Sequence, residues 1–134
     1  MGEFKPVPHT ADLALWVKGE NLVDLFETAA RGMFSLLTDL KGIKEEETRQ
    51  IQVEGENWED LMVRWLNELL YLQENGYLFS RFKILNLTPY HLQAILKGEK
   101  IKPHHSIQAE IKAATYHGLR IDEKNPEITL IFDV

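Results

Sequence analysis

The sequence predicts an α+β domain, a largely antiparallel sheet with two amphipathic helices packed on one face. Two patterns carry this expectation. From Leu22 to Leu37, and again from Trp58 to Leu72, apolar residues recur at three- and four-residue spacing, the period of a helix with one buried stripe. Beyond Gly76 that period disappears, and short alternating runs separated by turn residues replace it, as strands do.

The first predicted strand is "LALWVK", with Leu13, Leu15 and Val17 on one face and Asp12, Ala14, Trp16 and Lys18 on the other. Asn21 is placed to cap the first helix, and Asp24 favours the dipole in its first turn. "RQIQVE" (Arg49 to Glu54) reads as a strand, after which Asn57 caps a helix striped by Trp58, Leu61, Met62, Trp65, Leu66, Leu69 and Leu72. Gly76 suits the helix stop. The two units share a text: "VKGENLVDLF" and "VEGENWEDLM" carry Val, Gly, Glu, Asn, Asp and Leu at matching places. One strand–turn–cap device used twice, or an ancestral duplication, would both produce it. The remaining strand candidates are "LFSRFKILNLT", "YHLQAILKGE", "HSIQAEIKAATY", "LRIDE" and "EITLIFDV". In the third, Ile107, Ala109, Ile111 and Ala113 alternate with Gln108, Glu110 and Lys112.

At 134 residues the chain suits one domain, 1–134, with a core that needs no staples. There are no cysteines, which excludes disulfides, thiolate metal sites and Cys nucleophiles and fits a reducing cytoplasm. The N-terminus lacks the basic and apolar regions of a signal peptide, and no apolar run approaches the ~20 residues of a membrane span. A cytoplasmic protein is the expectation. Lys and Arg number 15 against 21 Asp and Glu, a net charge of −6. Lys97, Lys100 and Lys102 form only a loose basic group around Glu99. Direct, high-affinity nucleic-acid binding is therefore disfavoured. No G-x-S-x-G elbow, H-E-x-x-H or Gly-rich phosphate loop is present, so the chain is not expected to be an enzyme. A stand-alone metal-dependent hydrolase would need a general base that cannot be identified.

One carboxylate sits where β propensity disfavours it. Asp12 opens the first predicted strand, and Asp133 closes the last, one residue before the final Val134. If those strands pair antiparallel, the start of one lies beside the end of the other, and both Asp residues meet at one rim with the terminal carboxylate nearby. Several oxygens without sulfur would suit a hard cation, calcium before magnesium. Two solvated Asp residues at strand ends is the plainer alternative. His9 lies close to Asp12 in sequence and could add a hydrogen bond at that rim. His104-His105 follows Pro103 and reads as a solvated turn rather than a ligand pair, and His117 precedes Gly118 at an expected turn or bulge.

"HTADLALWVKG", "WLNELLYLQE", "IKAATYHGL" and the terminal "IFDV", in that order and across the chain, resemble the archease family. The resemblance implies a small α+β cofactor protein of the RtcB-type tRNA-splicing RNA ligase, one that promotes guanylylation of the ligase and supports its multiple turnover. Asp12, Asp133 and Val134 match the family's metal-binding positions, with Ca2+, or another divalent cation, as the implied ligand. Lys112 matches a basic residue in a motif linked to activation. One departure stands out: the family usually carries an acidic residue before "HTAD", and here it is Pro8. A general chaperone or adaptor, capturing clients on helix surfaces around Trp58, is the alternative class.

Overall fold

A computed structural model describes residues 1–8 and 13–134. The element order is β1 (Glu3–Val7), β2 (Leu13–Lys18), α1 (Leu22–Leu37), β3 (Glu47–Glu54), α2 (Trp58–Glu74), β4 (Tyr77–Thr88), β5 (His91–Lys100), β6 (Ala113–Ala114) and β7 (Glu127–Asp133). The strands divide into two antiparallel sheets, β1-β2-β7-β6 and β3-β5-β4. Both helices touch both sheets: α1 packs on β1, β2 and β4, and α2 on β3, β4, β5 and β6. The α+β class with two helices on antiparallel strands is thus as expected, and the division into two sheets is new.

The helices form where apolar spacing and caps coincide. Asn21 accepts from the Asp24 N–H at 2.8 Å, and the Asp24 carboxylate accepts from the Glu20 N–H at 2.8 Å. Asn57, Asp60 and Glu56 repeat the exchange at 2.8 and 2.9 Å. This is a variant of the capping box in both units: the Asn side chain satisfies an N–H of the first helical turn, and the Asp carboxylate takes the N–H of the residue before the cap. The shared "GEN" text therefore has a physical meaning whichever its origin. Gly76 ends α2 with φ +97°, a left-handed conformation that favours glycine.

Both helices contribute to one contiguous apolar core. Trp65, Phe26, Phe34, Phe79 and Phe132 are its largest fully buried side chains. Trp65 donates from Nε1 to the Phe26 carbonyl at 3.0 Å and meets Phe82 edge-on, tying α2 to α1 and β4. Among the described residues no helix is long and apolar enough to cross a membrane.

Two expected strands are corrected. Of "HSIQAEIKAATY", only Ala113–Ala114 pairs in a sheet. The Gln108 N–H donates instead to the Leu37 carbonyl at the end of α1, while Ile111 is buried and Ile107 exposed. The segment is an irregular cover, and its alternation reports only partial, one-sided packing. "LRIDE" forms no strand either; the Ile121 N–H donates to the Glu59 carboxylate at 2.7 Å, leaving a single bridge between Asp122 and Asn125. In the other direction, β1 carries Pro6 within a short edge strand, a place where a missing N–H is tolerated.

Candidate functional site

The last strand sits in the interior of its sheet. β2 and β7 pair antiparallel from Lys18 opposite Glu127 to Leu13 opposite Phe132. The start of β2 thus lies beside the end of β7. On β7's other flank Ala113 stands opposite Asp133, and the Lys112 N–H donates to the Asp133 carbonyl at 2.8 Å. Thr115 continues the contact, its N–H and hydroxyl both reaching the Ile131 carbonyl at 3.0 and 2.9 Å. Asp133 and Val134 are exposed. The structure therefore brings Lys112, Asp133 and Val134 together, whereas His9 and Asp12 lie outside the described residues. A metal there would draw on carboxylate oxygens, the donor chemistry that suits a hard cation.

His117 is exposed in the turn before Gly118, whose φ is +64°. His91 begins β5 opposite Glu54 and Thr88. The histidine pair needs correction: His104 is exposed, but the His105 side chain is 1% exposed and fully engaged rather than solvated. Its Nδ1 accepts from the Lys102 N–H at 2.8 Å, so Nε2 carries the proton and faces Glu99 at 3.0 Å and the Gly42 carbonyl at 3.1 Å.

Glu99 is the charged group that pattern reasoning passed over. It is 1% exposed on β5. Its Oε2 accepts from the Lys44 N–H at 2.6 Å, and its Oε1 lies 2.9 Å from the Lys102 ammonium, a charge attraction without a well-directed hydrogen bond. Lys102 also pairs with Glu46. Burial pushes the Glu99 carboxyl up, but the Lys44 N–H, the Lys102 ammonium and the His105 imidazole outweigh it and hold it down at about 2. The signal was present in the loose lysine group, of which Lys102 is the true partner.

Donor atoms of Glu99, His104 and His105 lie within 4.8 Å of one another. The Lys102 ammonium and the Nε2 proton already occupy the space facing Glu99. A cation would have to displace both, so the cluster is a loop clamp, joining the β5 end to the segments around Gly42, Lys44 and His105.

Glu99→Gln is expected to destabilise the protein by about 3 kcal/mol at neutral pH, the order found when one partner of a buried charge pair is removed. The folded carboxyl lies below its ordinary 4.5, so its contribution is complete above about pH 4.5 and falls away toward pH 2. Urea unfolding of both proteins across that range should show the gap closing as the pH drops. A gap independent of pH would rule out the clamp.

A second polar knot joins α2 to the chain after β6. The Tyr116 hydroxyl donates to Asp60 Oδ1 at 2.6 Å, and Arg64 Nε meets Oδ2 at 2.9 Å. The Tyr116 hydrogen bond, with help from Glu56 N–H and Arg64, lowers the Asp60 carboxyl despite its burial. The same hydrogen bond, followed by burial, raises the Tyr116 phenol. One turn along α2, Asn67 brackets Ala114: Oδ1 accepts from its N–H at 2.7 Å and Nδ2 donates to its carbonyl at 3.4 Å. The "WLNELLYL" and "KAATYH" segments are thus bonded to each other.

Residues 4–134 match the model of the Archease protein family (MTH1598/TM1083). The chain is 35% identical to protein archease of Sulfurisphaera tokodaii over 140 aligned residues, covering 100% of this chain and 99% of that one. It is also 35% identical to protein archease of Methanothermobacter thermautotrophicus over 116 residues, covering 84% and 83%. The solution structure of Methanobacterium thermoautotrophicum protein 1598 superposes with a TM-score of 0.80 at 30% identity, covering 98% of each chain. The Thermotoga maritima crystal structure, described as an archease and possible chaperone, gives 0.64 at 25% identity over 97% and 96%. A family match over nearly the whole chain, together with these relatives, makes the protein a member of the archease family.

Proposed function

We propose that this archease activates an RtcB-type RNA ligase in tRNA splicing or RNA repair, promoting ligase guanylylation and turnover from the cytoplasm without being an enzyme itself. In this reading Asp12, Asp133 and Val134 hold a divalent cation, Ca2+ in the first place, while Lys112 and His9 contact the partner or support the rim. The observation that carries it is the β2–β7 register, which ends with Leu13 opposite Phe132 and sets Lys112 against Asp133. It supports a rim built from both ends of the chain. A bound cation would supply positive charge to organise phosphate groups; the chain's own part is to hold the carboxylates at a sheet end and present them to the ligase.

Guanylylation of a cognate ligase, measured with Asp12→Ala and Asp133→Ala proteins, tests the reading. Loss of at least about tenfold in stimulation is expected from each, along with loss of calcium-dependent thermal stabilisation. Full stimulation by both variants would overturn the metal rim. The chaperone reading has its support in the description of the Thermotoga relative. It is favoured instead if unrelated clients are protected from aggregation equally by wild-type and Asp12→Ala protein. Trp58 is a poor capture surface for that purpose: it is half-buried, packs edge-on to Phe26 and donates to Glu123 at 3.2 Å.

A further inference from the structure

Unpaired sheet edges invite other strands, and folded proteins usually block them. Among the described residues, three of the four outer edges carry a device that interrupts, removes or shields backbone groups, rather than charge alone. β1 contains Pro6, which has no N–H to offer. β6 is two residues long and Asn67 brackets its Ala114. β4 has two register shifts, and Glu27 on α1 accepts from the Ile84 N–H at 2.9 Å. β3 differs. Its eight residues pair with β5 in unbroken register, it holds no proline, and among the described residues no side chain bonds to its backbone.

A groove of about 710 Å³ opens at the Gln52–Glu54 end of this edge. Val53 faces the core while Gln52 and Glu54 face outward, yet all three line it, as residues at the edge and end of a strand do. Its far side is α2, through Val63, Asn67 and Tyr71, and it reaches Ala114 on the edge of the other sheet. Tyr71 and Tyr116, 60% and 55% exposed, stand at its rim. Glu54 and Glu68 flank it, and through Tyr116 it adjoins a cavity of about 930 Å³ lined by Glu56, Glu59, Asp60 and Asp122. Against these stand Arg64, already paired with Asp60, and Arg120.

We propose that the open edge of β3 accepts an extended, basic segment of a partner protein as an added strand, its inward side chains entering the groove between β3 and α2. Main-chain hydrogen bonds would supply affinity, and alternate side chains would supply selectivity. The charge of the groove selects the occupant. A second copy pairing antiparallel through β3 would set Glu47 opposite Glu54 and bring two acidic grooves together, which like-charge repulsion opposes. This inference stands apart from the ligase reading.

The probe is a fluorescein-labelled octapeptide alternating valine and lysine, titrated by anisotropy with amide exchange followed by NMR. Saturable binding that weakens with salt is expected, with slowed exchange confined to the outward amides of β3. Two further peptides, N-methylated along one edge or the other, should differ at least about tenfold, since only one blocks pairing. The Glu54→Lys, Glu68→Lys double variant should weaken binding about tenfold, and a valine–glutamate peptide should not bind. No saturation, equal binding of both N-methylated peptides, or protection away from β3 would overturn the proposal. So would β3 protection that grows with protein concentration without peptide, which would assign the edge to a second copy.

Discussion

Alanine at Gly98 should destabilise the fold by about 3 kcal/mol or more, the upper range for forcing an extra methyl group into a packed site. Gly98 lies on the central strand of its sheet, between Glu47 on β3 and Phe79 on β4, where β4 bulges before Arg81. A β-carbon there would overlap the Leu78 carbonyl oxygen and come within 2.7 Å of the Phe79 Cα. Both obstacles are backbone, and neither can swing aside as a long side chain could. Phe79 is itself buried, stacked on Tyr77 and edge-on to Phe34. Relief would therefore push core aromatics and also move Glu99, the next residue, out of its clamp. For a chain of this length, a melting temperature roughly 10 °C lower is the expected reading in calorimetry. A Gly98→Ala protein melting within about 2 °C of wild type would show that β4 gives way without cost.

The signal for that site was in the sequence, since an isolated glycine inside a strand pattern often marks a bulge or close backbone approach. What could not be seen was which backbone approaches. The same division runs through the molecule. Asn21 and Asn57 identified both helix starts because capping is local chemistry, complete within four residues. The alternating faces of β2 and β7 were legible too, but their antiparallel meeting was only a condition in the sequence reading, because alternation names a buried face and not a neighbour; the register bears it out. The segment from His105 to Glu123 misled because alternation measures burial on one side, and a chain laid over the core shows it without strand pairing. Outside the Lys112–Thr115 stretch that meets β7 and Asn67, its Gln108 and Ile121 N–H groups go to Leu37 and Glu59, partners that no local pattern specifies. Glu99 follows the same logic: its partners Lys44 and His105 come from the segments before β3 and after β5, far from each other in sequence, so the lysines around it looked merely loose. The candidate rim is divided likewise. The end of β7 and Lys112 come together through strand pairing, while a cation site at Asp12, Asp133 and the terminal residue was one of two readings of the residues, and family resemblance favoured it.

Trp65→Ala should cost about 4 kcal/mol, within the range for removing a large aromatic from a packed core. The side chain is fully buried, and its loss opens a void between α1, α2 and β4 while removing the donor to the Phe26 carbonyl. Trp65→Phe keeps an aromatic ring facing Phe82 but forfeits the N–H and part of the volume, so about 2 kcal/mol is expected. Chemical denaturation of both variants separates the contributions: equal losses would mean that the hydrogen bond, rather than the volume, dominates. Asn67, two residues on, provides the contrast. Asn67→Ala removes no comparable core volume, but it uncovers the N–H and carbonyl of Ala114 on β6. A single turn of α2 thus buries Trp65 to hold the helix layer together and uses Asn67 to close a sheet edge. On the following turn it presents Tyr71 to the groove beside β3. Changes at Trp65 should therefore appear as lost stability, whereas changes at Asn67 should appear first as faster amide exchange at Ala114 in a protein that remains folded.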